Sequence, residues 1–114
     1  MKTIFNFSHP LSQKTAEQIT QAVGENRVAV IRVQLDLSQP LKPQVFDICH
    51  SAVNEHGKPD YILPPMHAYA AVLTDRYFSQ PEDDYPPCVT YTPVIRLVME
   101  NGTTPPVFVL AEII

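Results

Sequence analysis

The sequence predicts a single α/β domain over residues 1–114, with a mostly parallel, doubly wound sheet of the Rossmann-like kind. Three observations lead there. Apolar runs of period two alternate with apolar stripes of helical spacing three times in succession. Each change of period is marked by Pro, Gly or a helix-capping residue. The length of 114 residues, with 45% apolar and 18% charged residues, suits one core and not two.

The elements follow in order. Lys2 to Phe7 reads as a first strand, ended by Ser8-His9-Pro10, because Pro10 has no amide to donate and biases His9 toward an extended backbone. Ser12 is placed to cap a helix running to Val23, with Ala16, Ile19 and Val23 on one face and Gly24 just past its end. Arg27 to Leu35 is dense in β-branched residues and reads as a central strand covered on both faces. After the loop Asp36 to Pro40, helical spacing resumes at Val45, Ile48, Cys49, Ala52 and Val53, from Leu41 until His56-Gly57; Pro43 is tolerated in the first turn. Asp60 to Leu63 is a short third strand stopped by Pro64-Pro65, and Met66 to Phe78 fits a third helix carrying Tyr69, Val72, Leu73, Arg76 and Tyr77 along one side. Gln80 to Pro87, acidic and proline-rich, is expected as an exposed loop. Val94 to Met99 and Val107 to Ile114 are the last strands, joined as a C-terminal hairpin through Glu100 to Pro106. The predicted order is β-α-β-α-β-α-β-β.

Composition narrows the function. A net charge of −4 and only eight Lys and Arg residues argue against long nucleic acid as a partner, since a protein that neutralises many phosphates needs a basic surface. A small anion remains compatible, because helix N-termini and backbone amides hold phosphate without net positive charge. No apolar run approaches a membrane span and the first residues lead directly into a strand, so a cytoplasmic protein is expected, with Cys49 as a buried thiol on a helical stripe. Three glycines cannot supply a dinucleotide fingerprint, and His50 and His56, six residues apart, do not share a helix face as metal ligands. No cofactor or metal is expected.

In open α/β sheets, ligands bind beyond the carboxyl ends of the strands, where the strand order reverses. That rule selects Phe7 to Leu11, Gln34 to Gln39 and Leu63 to His67. Candidate ligand-binding residues are therefore Phe7, Ser8, His9, Pro10, Gln34, Asp36, Pro64, Pro65, Met66 and His67. His9 is the strongest proton donor among them, and Pro64-Pro65 suits a rigid wall. The plain alternative makes Ser8 and Ser12 loop caps and leaves His9 and His67 as solvated histidines. The acidic run Glu82-Asp83-Asp84 reads as a solvated loop.

Asn6-Phe7-Ser8-His9-Pro10-Leu11 and Val33-Gln34-Leu35-Asp36-Leu37-Ser38-Gln39-Pro40-Leu41 resemble blocks of a family of small CRISPR-associated accessory proteins, the fifteenth of the Csx series. Pro64-Pro65, Thr92-Pro93-Val94-Ile95-Arg96-Leu97 and Pro106 to Ile114 are similar to that family's later blocks, so the likeness runs over nearly the whole chain. The resemblance implies a homodimer in type III CRISPR antiviral defence that binds a cyclic oligoadenylate messenger, cyclic tetra-adenylate first, across its two-fold axis. Sequestration without chemistry is the function expected, since no base–nucleophile pair is evident and no catalytic residue is assigned. The alternative is a metal-independent ring nuclease, in which Ser8, His9 and His67 assist attack by the ligand's own 2′-hydroxyl. A small interaction module that binds no nucleotide is the third reading.

Overall fold

The computed structural model describes residues 1–79, 92–99 and 108–114. The loop expected over Gln80 to Pro87 and the hairpin link over Glu100 to Pro106 lie outside these residues. The elements are β1 (Lys2–Asn6), α1 (Gln13–Val23), β2 (Asn26–Val30), α2 (Leu41–His56), β3 (Tyr61–Leu63), α3 (Ala68–Ser79), β4 (Ile95–Met99) and β5 (Phe108–Ile113). This is the expected order. The chain is a mixed α/β protein with a parallel three-stranded sheet, β2-β1-β3, and an antiparallel β4-β5 hairpin.

Period-two alternation in β1 distributes the core over two faces. Phe5 and Phe7 point toward α2 and α3, where they join Phe46, Cys49, Tyr77 and Phe78. Ile4 points the other way and packs with Ile19 of α1, Leu63, and Ile95 of the hairpin. Ser12 caps α1 as expected, its Oγ accepting from the Thr15 amide at 3.2 Å. Gly24 and Gly57 end α1 and α2 at φ +88° and +80°, where a side chain would be strained, and their amides donate to Thr20 O and Val53 O, both at 2.8 Å.

Three expectations are corrected. β2 is a short edge strand, not a central strand of nine residues, because among the described residues β1 is its only partner and the ladder ends with the Ile31 amide donating to Asn6 O at 2.9 Å. Beyond that point β1 has become a loop. Ile31, Val33 and Leu35 still alternate inward onto the Phe5 core while Arg32 and Gln34 stay exposed, so the burial pattern of a strand continues without its hydrogen bonds. α3 starts two residues late and buries Ala70, Thr74, Tyr77 and Phe78, leaving Tyr69 and Val72 exposed.

The hairpin is joined to the sheet by a parallel bridge between Ile62 and Val94, with the Ile62 amide donating to Pro93 O at 3.0 Å. Its register shifts after Arg96↔Glu112, so that Leu97 faces Leu110 and Ala111 is the extra residue. The bulge has a sequence cause. Leu110 and Ile113 both pack on the Ile4 core, and residues three apart in a regular strand cannot share a face.

Candidate functional site

The chain runs from β1 out to β2, then crosses back to β3 on the opposite side of β1. Strand order therefore reverses at β1 and β3, and a cleft of about 480 Å³ opens at their carboxyl ends. One wall is the loop after β1, Ser8 to Leu11, with Ser12 and Thr15 at the start of α1. A second is Leu63, Pro64, Pro65 and Met66 after β3. The hairpin closes the third side with Val94 to Leu97, Phe108 and Ile114.

Asn6 shapes the first wall. It is 1% exposed at the end of β1, and its side chain folds over the loop that follows. Its Oδ1 accepts from the Ser8 amide at 2.9 Å, and its Nδ2 donates to His9 O at 3.0 Å. This side-chain turn holds the backbone of Ser8 and His9 at the cleft while Pro10 stiffens its exit. Asparagine two residues before a loop serine is a turn signal that the sequence carries, and Asn6 was still not among the expected site residues.

Thr15 connects the first wall to the third. Its buried hydroxyl lies 2.9 Å from Ser12 Oγ and donates to Phe108 O. One helical turn on, Gln18 Oε1 accepts from the Leu110 amide at 2.9 Å. Side chains of α1 thus satisfy backbone groups on β5, and the hairpin is held against the cleft by hydrogen bonds as well as by the Ile4 core. On the hairpin, Arg96 Nε meets Glu112 Oε1 at 2.6 Å, a cross-strand pair about half exposed at both ends. Such a pair adds at most about 1 kcal/mol.

The structure brings six of the ten expected residues to this cleft: Ser8, His9, Pro10, Pro64, Pro65 and Met66. Four sit elsewhere. Phe7 is buried in the α2/α3 core, its ring 6.1 Å from Phe5 and 6.2 Å from Phe78. Gln34 is exposed on the extended segment after β2. Asp36 organises its own loop: its Oδ1 accepts from the Ser38 hydroxyl at 2.6 Å and the Ser38 amide at 3.0 Å, which hold the carboxyl below the usual carboxylate range. Gln44 clamps that loop from α2, accepting from the Asp36 amide at 2.7 Å and donating to Asp36 O and Pro40 O. His67 caps α3, its Nδ1 accepting from the Ala70 amide at 3.3 Å. Leu11, within the loop the strand-end rule selects, and Ser12, the cap beside it, also line the cleft, together with Thr15 and the hairpin residues, which the sequence did not point to.

The cleft is mostly apolar, with the Ser8, Ser12 and Thr15 hydroxyls, the exposed His9 and the N-terminus of α1 on one wall and Arg96 contributing to another. That combination suits a ligand with a flat apolar body and a polar or anionic group. No Asp or Glu side chain lines it among the described residues. Nor do those residues gather three His, Cys, Asp or Glu side chains as a metal site, and no helix among them is long and apolar enough to cross a membrane. Comparison with protein-family models, curated proteins and solved structures finds no match to the chain.

Proposed function

We propose that this protein is a cytoplasmic, Rossmann-like binding protein that sequesters a cyclic oligoadenylate, with cyclic tetra-adenylate as the first ligand to test. The observation that carries the reading is the meeting of Ser8-His9-Pro10 with Pro64-Pro65-Met66 in one cleft, although more than fifty residues separate them in sequence. Both segments fall in or beside the blocks that resemble the CRISPR-associated family. The strand order β2-β1-β3, with core on both faces, supports the Rossmann-like assignment.

The cleft volume of about 480 Å³ falls inside the range of small-ligand sites, about 300–1,000 Å³. A tetranucleotide ring is larger than one such cleft, so the reading uses two copies that each hold half of a two-fold ring. Proline, methionine and phenylalanine side chains offer surfaces for adenine, and His9 with the loop hydroxyls offers donors for phosphate.

Sequestration is favoured over cleavage by the surroundings of His9. In-line attack by a ribose hydroxyl needs a group that accepts its proton and another that orients that group. The Asp36 carboxylate, the one acid among the ten candidate residues, is engaged with Ser38 and lies outside the cleft lining. Interactions that hold the ground state and the transition state equally do not accelerate the chemical step. Incubating excess protein with labelled cyclic tetra-adenylate tests the reading: bound and intact ligand is expected. Linear adenylate products would make the protein a ring nuclease, and absence of binding would remove this ligand.

A further inference from the structure

The hairpin puts one fixed charge on the wall of the cleft. Among the described residues that line it, Arg96 alone is permanently ionised. Strand alternation shows how it gets there. Arg96 pairs with Glu112, and Val94 and Ile114 exchange amide bonds of 2.9 and 2.8 Å, so they also stand opposite each other. Val94, Arg96, Glu112 and Ile114 therefore share one face of the hairpin, while Ile95 and Ile113 turn to the Ile4 core on the other. Of the four, Val94, Arg96 and Ile114 line the cleft and Glu112 does not. β4 is the hairpin strand that joins β3, which sets Arg96 on the cleft side of its acidic partner.

That partner uses little of the cation. Glu112 Oε1 accepts from Arg96 Nε at 2.6 Å, and among the described residues no other group bonds this guanidinium. A guanidinium carries five N–H donors in a planar fork, so a bond through Nε leaves the four on the terminal nitrogens. Those four suit two oxygens of a phosphate or sulfonate. Both side chains of the pair are about half exposed, so water already weakens their attraction and a ligand anion competes with Glu112 at small cost. The cleft around the cation is walled by Leu63, Pro65, Met66 and Leu97. An apolar wall strengthens the pull of a charge on an anion beside it.

We propose that Arg96 is the residue by which this cleft selects an anionic aromatic ligand over a neutral one of the same shape. The role rests on the cleft being the ligand site of the function proposed above. For a cyclic oligoadenylate it sets a phosphate against the hairpin wall, apart from the donors of the Ser8-His9 loop. Glu112 is the competing anion, and the ligand's phosphate replaces part of its hold on the guanidinium.

Two fluorescent dyes of one ring skeleton and different charge test this: anilinonaphthalene sulfonate, an anion, and N-phenylnaphthylamine, which is neutral. Wild type is expected to bind the sulfonate at least about tenfold more tightly than the amine. Arg96→Gln is expected to abolish that preference by weakening the sulfonate alone, with circular dichroism unchanged. Arg32→Gln makes the same change of net charge in the groove between the end of β2 and α2, beside Asp47 and Glu55, and is expected to match wild type. Glu112→Gln keeps an acceptor for Nε and removes the competing charge. It is expected to tighten the sulfonate about threefold and leave the amine unchanged, and it decides the matter should Arg96→Gln not fold. Equal affinity of wild type for the two dyes, a folded Arg96→Gln that keeps the preference, an Arg32→Gln that loses it, or a Glu112→Gln that fails to tighten the sulfonate would each overturn the proposal. Cyclic tetra-adenylate titrated in parallel separates the two readings. If it does not bind while the sulfonate depends on Arg96, the nucleotide is wrong and the role of Arg96 stands; if it binds wild type and Arg96→Gln alike, the nucleotide stands and the role of Arg96 is wrong.

Discussion

Phe5→Ala is expected to lower the free energy of unfolding by about 3–5 kcal/mol, the range for truncating a fully buried phenylalanine. Phe5 is 0% exposed on the central strand of the parallel sheet. Its ring meets Phe7, Phe78 and His56 edge-on, with centroids 6.1, 6.2 and 5.9 Å away. Those partners come from β1 itself, α3 and the end of α2, so collapse around the cavity would have to move several elements at once. Domains of this size are stable by only about 5–15 kcal/mol, and such a loss takes a large share of it. Leu37→Ala, at a side chain 68% exposed in the loop after β2, is the control and is expected to change stability by less than about 0.5 kcal/mol. Urea unfolding of the two variants beside wild type measures the contrast. Equal losses would contradict the placement of the core.

His9→Ala is expected to leave the fold intact and weaken binding of cyclic tetra-adenylate by about 1–3 kcal/mol, roughly five- to 150-fold. The fold should survive because the His9 side chain is exposed and the loop is held through its backbone carbonyl, by Asn6 Nδ2 at 3.0 Å. An alanine at this position keeps that bond. Only the donor at the cleft wall is lost. Isothermal titration of the folded variant is the measurement, and affinity equal to wild type would remove His9 from the site.

The order of elements was legible in the sequence because each change of hydrophobic period coincides with a capping or breaking residue. Ser12, Gly24 and Gly57 cap in the structure where the sequence placed them. The length and position of β2 were not legible. Ile31, Val33 and Leu35 alternate as a strand does, but a ladder needs a neighbour and β1 has already turned away at Ser8. Nor could the pattern of α3 show that Tyr69 and Val72 stay outside while Thr74 goes in, because Thr74 offsets its burial by a hydrogen bond from its hydroxyl to Ala70 O at 2.7 Å.

The cleft was legible in part for a related reason. The rule that ligands sit at the carboxyl ends of strands found the loops after β1 and β3, which are local in sequence and fixed by strand order. It also selected the loop after β2, where Asp36 and Gln34 lie away from the cleft lining. The third wall depends on where the hairpin docks, and that rests on Thr15 and Gln18 meeting the backbone at Phe108 and Leu110, contacts across more than ninety residues. Buried polar side chains such as Asn6 and Thr15 acquire their roles only through partners the sequence does not name.

The central claim is that a cyclic oligoadenylate sits between the loops after β1 and β3. Amide chemical-shift mapping of the isotopically labelled protein during titration with cyclic tetra-adenylate tests this most directly. The account predicts that shifts concentrate at Ser8, His9, Leu11, Ser12 and Met66 and spread to Phe108, while the amides of Asp47 and Glu55 on the far side of the sheet stay in place. Saturable binding that moves the α2 groove and leaves the Ser8 to Ser12 loop unchanged would contradict it, as would a titration that moves no amide at all.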